Sequence, residues 1–218
     1  MFKRVIITSG PTIEPIDPVR FISNRSSGKS GYHLAHEAVK RKIPEIIFIT
    51  GPTCCIPTGV TLIQVETALE MREQLHRYSD DADVIIMASA VSDYRVVHYS
   101  PEKIKKDQDN LTLQLVKNPD LLFELGQQKP LHQILVGYAA ETHNALENAR
   151  EKFKKKNLDL LVLNEVSVDN PAFSAEDNQV YFVTKDGARK LDRMEKSVLA
   201  TRIWDQVDRI KKVKVEIK

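Results

Sequence analysis

Short runs of consecutive apolar residues alternate along this chain with longer stretches whose apolar positions recur every three or four residues. That alternation is the pattern of a mostly parallel sheet whose connections are helices. Residues 5–8, 46–50, 62–65, 84–88, 134–138 and 160–163 predict buried strands, because strands covered on both faces read as continuous Val/Ile/Leu runs. Helical periods fall between them at 31–42, 68–78, 119–127 and 144–156, with a last one at 196–207. Residues 111–116 (Leu-Thr-Leu-Gln-Leu-Val) alternate apolar and polar and predict a half-exposed strand. Residues 179–184, a Lys-Asp-Gly turn and residues 188–191 predict a terminal hairpin, and the tail 211–218 a frayed end or a short strand. The expected fold is therefore α/β, one domain over 1–218, with a C-terminal hairpin extension.

In open sheets of this kind, ligands bind beyond the carboxyl ends of the strands. The loops at those positions hold the unusual residues: Gly10-Pro11-Thr12, Gly51-Pro52-Thr53, Ser89 to Arg95, Ala139 to Thr142, and Asn164 to Ser167. Between the first strand and the first helix runs Ser23-Asn-Arg-Ser-Ser-Gly-Lys-Ser-Gly31. A helix start leaves backbone N–H groups unpaired, Gly28 and Gly31 permit close approach of backbone to an anion, and Ser26, Ser27, Ser30 and Lys29 add donors and charge. Taken alone, the segment is first an ordinary Ser/Gly turn. It is not a standard P-loop, since Ser23 stands where the leading glycine belongs and Pro11, Pro15 and Pro18 separate it from the first strand.

Composition narrows the classes without choosing among them. Lys plus Arg (32) nearly balances Asp plus Glu (30), so the net charge of +2 gives no global attraction to nucleic acid or acidic membranes, and any anion site must be local. No apolar run approaches a membrane span and the N-terminus lacks a secretory pattern, so the cytoplasm is the expected address. Adjacent Cys54 and Cys55 suit neither a disulfide framework nor a zinc site. His33 and His36 lack a third ligand nearby and read as surface or packing residues. The Lys103-Ile-Lys-Lys106 run is either a solvated face or a mobile clamp on triphosphate. Lys152 to Lys156 ends a helix, where cations offset the carbonyl terminus. Asp93, just past a strand end, suits a magnesium-associated carboxylate or a cap. Neither a G-x-S-x-G elbow nor a G-x-G-x-x-G loop is present.

Several separated stretches, taken in order, resemble the phosphopantothenoylcysteine synthetase family. They are Thr8 to Thr12, Asp17 to Asn24, Ser26 to Lys29, Ala90 to Arg95, Lys103 to Lys106, Val116 to Asp120, Gly137 to Thr142 and Lys156 to Leu160. The resemblance implies a Rossmann-like sheet with helices on both faces, usually a homodimer, that joins 4′-phosphopantothenate to L-cysteine using CTP and Mg2+ through an acyl-cytidylate. Because the pattern begins near Met1, a stand-alone form is expected, with at most transient contact to a separate decarboxylase. By position, the resemblance makes Asn24 the asparagine that handles the acyl-cytidylate, Arg20 a nearby required arginine and Lys103 the essential lysine of a flap. Gly10, Ser26, Ser27, Gly28, Lys29, Ser89, Ala90, Asp93, Lys103, Lys106, Tyr138 and Lys156 are implied to contact the nucleotide, with Asp93 toward the metal. Ser89 and Tyr138 stand where alanine and phenylalanine are more usual. Two other readings are a different Rossmann-like nucleotide-binding oxidoreductase and a non-catalytic partner subunit of a flavin-dependent decarboxylase.

Overall fold

The computed structural model describes residues 1–105, 110–167, 170 and 175–216. In chain order the elements are β1 (Arg4–Ser9), β2 (Ile13–Pro15), β3 (Phe21–Ser23), α1 (Lys29–Lys40), β4 (Glu45–Thr50), β5 (Thr61–Gln64), α2 (Ala68–Tyr78), β6 (Val84–Met87), β7 (Tyr94–Val96) and β8 (Leu115–Lys117). They continue with α3 (Leu121–Gln128), β9 (Ile134–Glu141), α4 (Ala145–Lys155), β10 (Leu160–Glu165), β11 (Asp177–Asn178), β12 (Val180–Thr184), β13 (Gly187–Lys190), β14 (Met194–Glu195) and α5 (Lys196–Glu216).

The main sheet has eight strands in the order β13-β12-β10-β9-β6-β1-β4-β5. From β10 to β5 every pairing is parallel, and the β12–β13 hairpin adds antiparallel to β10. Numbered by appearance, the parallel strands lie third-second-first-fourth-fifth-sixth, the doubly wound Rossmann order, and the order reverses between β1 and β6. Connections from those two strands leave in opposite directions, which opens a crevice at their carboxyl ends.

Period-two alternation sends β1 side chains to two separate cores. Val5 and Ile7 join Leu34 of α1 and Leu199, Ile203 and Trp204 of α5 on one face. Ile6 joins Met71 and Leu75 of α2, Leu125 of α3 and Ala149 of α4 on the other. Trp204 is fully buried and its Nε1 donates to Leu34 O at 3.0 Å, which fastens α5 to α1.

At the rim opposite the crevice, Asp159 collects several partners. Its Oδ2 accepts from Leu135 N and Lys129 Nζ, both at 2.8 Å, and its Oδ1 pairs with Lys214 Nζ at 2.7 Å. Lys214 Nζ also donates to Gln133 O at 2.7 Å, and Lys211 Nζ to Met1 O at 2.8 Å. These bonds hold residues 211–216 in α5, so the expected frayed or extended tail is corrected to helix through Glu216.

Residues 111–114 also depart from expectation, since the strand begins only at Leu115. Its partner β7 runs out: Val97 N still reaches Gln114 O at 2.9 Å, but Ser100 N has turned away to Ile16 O at 3.0 Å. The Pro-rich stretch after β1 forms the small antiparallel pair β2–β3, outside the main sheet.

Candidate active site

A cavity of about 690 Å³ occupies the crevice. One wall is the turn into α1. Gly28 takes a left-handed conformation (φ 78°) as the N-cap, and no side chain caps the helix there, so the first amides of α1 are left for solvent or ligand. Side chains behind the turn fix it in place: Ser9 Oγ donates to Gly28 O at 2.9 Å and Thr53 Oγ1 to Ser27 O at 2.7 Å. Both glycines are required. A Cβ on Gly28 would lie 2.6 Å from Thr53 Oγ1, and one on Gly31 would run into the Ser9 side chain.

The loop after β6 forms the second wall. Ala90 N donates to Gly10 O at 2.8 Å, Thr12 N to Ala90 O at 3.2 Å, and Ser92 N to Thr12 Oγ1 at 2.9 Å. Asn24 Nδ2 reaches across to Ala90 O at 3.1 Å and Val91 O at 3.2 Å, joining the two walls. Asn118 continues the stitching through Nδ2 to Ser92 O and N to Asp93 O, each at 2.8 Å. The Ser89 hydroxyl turns back to Thr8 Oγ1 of the neighbouring strand at 2.8 Å.

Asn24, Ser26, Ser27, Gly28, Lys29, Ser89, Ala90, Asp93, Tyr138 and Lys156 all line the cavity. Lys156 Nζ pairs with Asp120 Oδ1 at 2.9 Å, and burial pushes the Tyr138 phenol pKa above its usual range. Gly10, Arg20 and Lys103 stand outside the lining. Gly10 shapes the loop base, where a Cβ would lie 3.0 Å from Gly51 O. Lys106 lies outside the described residues. Asn118, Lys152, Asn164, Asn178 and Lys196 also line the cavity and were not singled out as site residues. The Asn118-Pro-Asp stretch lay within a matched motif and Asn164 opens one of the strand-end loops marked in the sequence, whereas Asn178 and Lys196 carry no motif and reach the site only through the topology.

Arg20 and Asp17 together hold the Lys103 segment at Ile104. Asp17 is buried and accepts from Val19 N at 2.9 Å, Arg20 N at 2.8 Å, Arg20 Nε at 2.9 Å and Ile104 N at 3.2 Å, while Arg20 Nη2 donates to Ile104 O at 2.8 Å. The root of the Lys103 segment is thus tied to the β2–β3 turn, with Lys103 itself exposed. Burial works to raise the Asp17 pKa, but Arg20 and three backbone amides outweigh it and hold the carboxyl well below the usual carboxylate range.

Asp93 is exposed at the cavity mouth. Among the described residues no three His, Cys, Asp or Glu side chains gather as a metal cage. One carboxylate beside an anion cradle fits a cation that takes most of its ligands from phosphate and water, as magnesium does. Cys54 and Cys55 are free thiols, and burial raises the Cys55 pKa, which argues against a reactive thiolate.

The Asp17 anchor has a pH signature. Because its folded pKa is depressed, its stabilisation is complete above the unfolded value of about 4 and is lost as pH falls through the acidic range. Asp17→Asn is expected to lower the melting temperature at pH 7, with the gap to the parent narrowing steadily from pH 5 to pH 2. Thermal melts across that range check it, and a constant gap would exclude the ion pair as the cause.

Known proteins share this fold. The chain is 41% identical to the coenzyme A biosynthesis bifunctional protein CoaBC of Bacillus subtilis over 213 residues, covering 96% of this chain and 52% of that protein. It is 39% identical to CoaBC of Escherichia coli K12 over 207 residues, covering 93% and 51%. The chain therefore spans about half the length of the curated relatives it matches. Among solved structures, the C-terminal domain of a CoaBC superposes with TM-score 0.81 at 37% identity, covering 95% of both chains. A DNA/pantothenate metabolism flavoprotein from Streptococcus pneumoniae shares the fold at TM-score 0.81 and 21% identity, covering 95% of this chain and 99% of that one. Residues 1–210 match the DNA/pantothenate metabolism flavoprotein C-terminal domain, and the chain belongs to that family.

Proposed function

We propose that this chain is a phosphopantothenate–cysteine ligase that uses CTP. The observation that carries the reading is the uncapped start of α1, with Lys29, facing the Asn24-tethered loop and Asp93 across one cavity. It is supported by relatives named for coenzyme A biosynthesis, of which this chain matches one half. A free carboxylate resists an amine because oxide is a poor leaving group, so it must first become a mixed anhydride. A carboxylate oxygen of phosphopantothenate attacks the α-phosphorus of CTP, forming the acyl–phosphate bond as the α–β bridge breaks and pyrophosphate departs. The cysteine amine then attacks the acyl carbon, an amide forms, CMP leaves, and the amine proton passes to solvent.

The protein's part is positional and electrostatic. The amides of α1 and Lys29 receive phosphate oxygens, and Lys103 closes from its Arg20–Asp17 root over the departing pyrophosphate. Asn24 holds the loop that carries the reacting acyl group. Asp93 would hold magnesium, which when bound supplies neutralisation of phosphate charge. No described helix is long and apolar enough to cross a membrane, and the cytoplasm is the expected setting.

A second copy is expected on the ribbon formed by β2, β3, β7 and β8. Val19, Phe21, Tyr94, Tyr99, Leu111 and Leu115 are exposed there, with Phe21 at 55%, and such a run of large apolar groups on one projection marks an interaction surface. Phe21→Glu is expected to convert a dimer to a monomer in light scattering, and an unchanged mass would remove this face from the interface. Contact with a separate flavin-dependent decarboxylase is expected to be transient.

The complete reaction with phosphopantothenate, cysteine and each of CTP, ATP, GTP and UTP is expected to release CMP and pyrophosphate with CTP alone. No nucleotide-dependent pyrophosphate release would overturn the ligase, and ATP-driven turnover would overturn the CTP choice. Asn24→Asp sets a carboxylate against two carbonyls and the incoming phosphate. It should slow amide formation at least 100-fold and let the acyl-cytidylate accumulate, as followed by mass spectrometry, and normal turnover would remove that role.

A further inference from the structure

Behind the second wall of the cavity lies a buried carboxylate that the proposed reaction does not use. Glu14 of β2 is 2% exposed, and its Oε1 accepts from Ala68 N, the first amide of α2, at 3.0 Å. That bond alone does not call for a charge, because a glutamine carbonyl would accept it equally well. Burying an ionised carboxylate is costly unless further donors surround it. Burial raises the Glu14 pKa, and the Ala68 amide, side-chain hydrogen bonds from Thr12 and Asn118 and the charge of Arg95 offset part of that rise.

Thr12 and Asn118 are the two side chains that fasten Ser92. Thr12 Oγ1 accepts from Ser92 N at 2.9 Å, and Asn118 Nδ2 donates to Ser92 O at 2.8 Å. A hydroxyl that accepts from an amide still has its own hydrogen to give, and a side-chain amide that donates once has a second. Glu14, which only accepts when ionised, stands beside both and takes those hydrogens. At the other end of the Asn118 side chain, Arg95 Nη1 donates to Oδ1 at 3.0 Å, and the same nitrogen reaches Lys117 O at 2.9 Å.

These contacts allow one orientation of the Asn118 amide. Turned over, it would set Nδ2 against the guanidinium and Oδ1 against both Ser92 O and the Glu14 carboxylate. The orientation matters to the site because Asn118 N also donates to Asp93 O at 2.8 Å. Asp93 therefore follows a residue fastened at its N–H and its carbonyl, and its own carbonyl is fastened too. Its side chain is exposed at the cavity mouth.

We propose that Glu14 and Arg95 are positioning residues for Asp93, acting from opposite ends of the Asn118 amide. The inference rests on the nucleotide-dependent reading above and deepens it: a magnesium ion with one protein carboxylate is held only as well as that carboxylate is placed. Neither Glu14 nor Arg95 lines the cavity, so both act through Asn118 and not on the nucleotide. Groups that hold a metal ligand from behind commonly change metal affinity by roughly 10- to 100-fold.

Two substitutions test the tether from its two ends. Glu14→Gln keeps an acceptor for Ala68 and sets a donor against Asn118, while Arg95→Met removes the donor to Oδ1. In the ligand-free chain, the Ser92 and Asn118 amides are expected to exchange hydrogen about tenfold faster in each variant, as followed by NMR. Unchanged exchange overturns the proposal. In the complete reaction with CTP, each variant is expected to need about tenfold more magnesium for half-maximal rate. Partial unfolding lowers only the maximal rate, so a rate loss at unchanged magnesium dependence overturns the positioning role. Added to Asn118→Ala, either substitution should cost less than about twofold more, and a fully multiplied loss overturns the route through Asn118. If Glu14→Gln does not fold, Arg95→Met decides each arm by itself. A parent chain that releases no pyrophosphate removes the ligase reading, and the exchange rates then decide the tether alone.

Discussion

The first turn of α1 begins without a capping side chain, and the rest of the site is arranged around those open amides. Their position follows from Ser9 at the end of β1, whose hydroxyl holds the carbonyl of Gly28, and from Thr53 after β4, which holds that of Ser27. Two strands of the sheet thus aim one helix end. Because sheet order reverses at β1, the opposite wall comes from β6, and the space between is left unfilled by any connection. Loss of either hydroxyl would release the turn before it altered any group that touches a substrate.

The electrostatic design is one of partial internal compensation. Lys29 is met by Glu176, Lys156 by Asp120 and Lys152 by Glu141, so three of the cationic side chains on the wall have an anionic neighbour. Such partially exposed pairs contribute little to stability. Their value is in keeping cations poised without a large unbalanced charge in the empty protein. Lys196 differs from them in being buried and bonded to a carbonyl.

Much of the fold was legible because the apolar runs permit one reading. Strands β4, β6 and β10 are covered on both faces, and no alternative period fits them. Where the expectation departed from the structure, tertiary contacts decided. Residues 211–215 (Lys-Lys-Val-Lys-Val) carry no strong local preference, and Lys211 and Lys214 hold them helical by reaching Met1, Gln133 and Asp159. Residues 111–114 alternate like a strand but have no partner once β7 turns away. The loop residues of the site were legible because they are contiguous in sequence. Lys196 and Asn178 were not, since more than a hundred residues separate them from Gly28 and only the hairpin's return to β10 brings them to it.

The long final helix has a consequence for how the molecule can be handled. Its 21 residues run about 30 Å from Lys196 at the cavity to Glu216, and Lys211 near that far end touches both Met1 O and the ring of Phe2. The first residue and the last described ones therefore sit together on the side of the molecule away from the chemistry. An affinity handle or fused partner at either place projects outward from that side, and a permuted chain joining them would need only a short bridge.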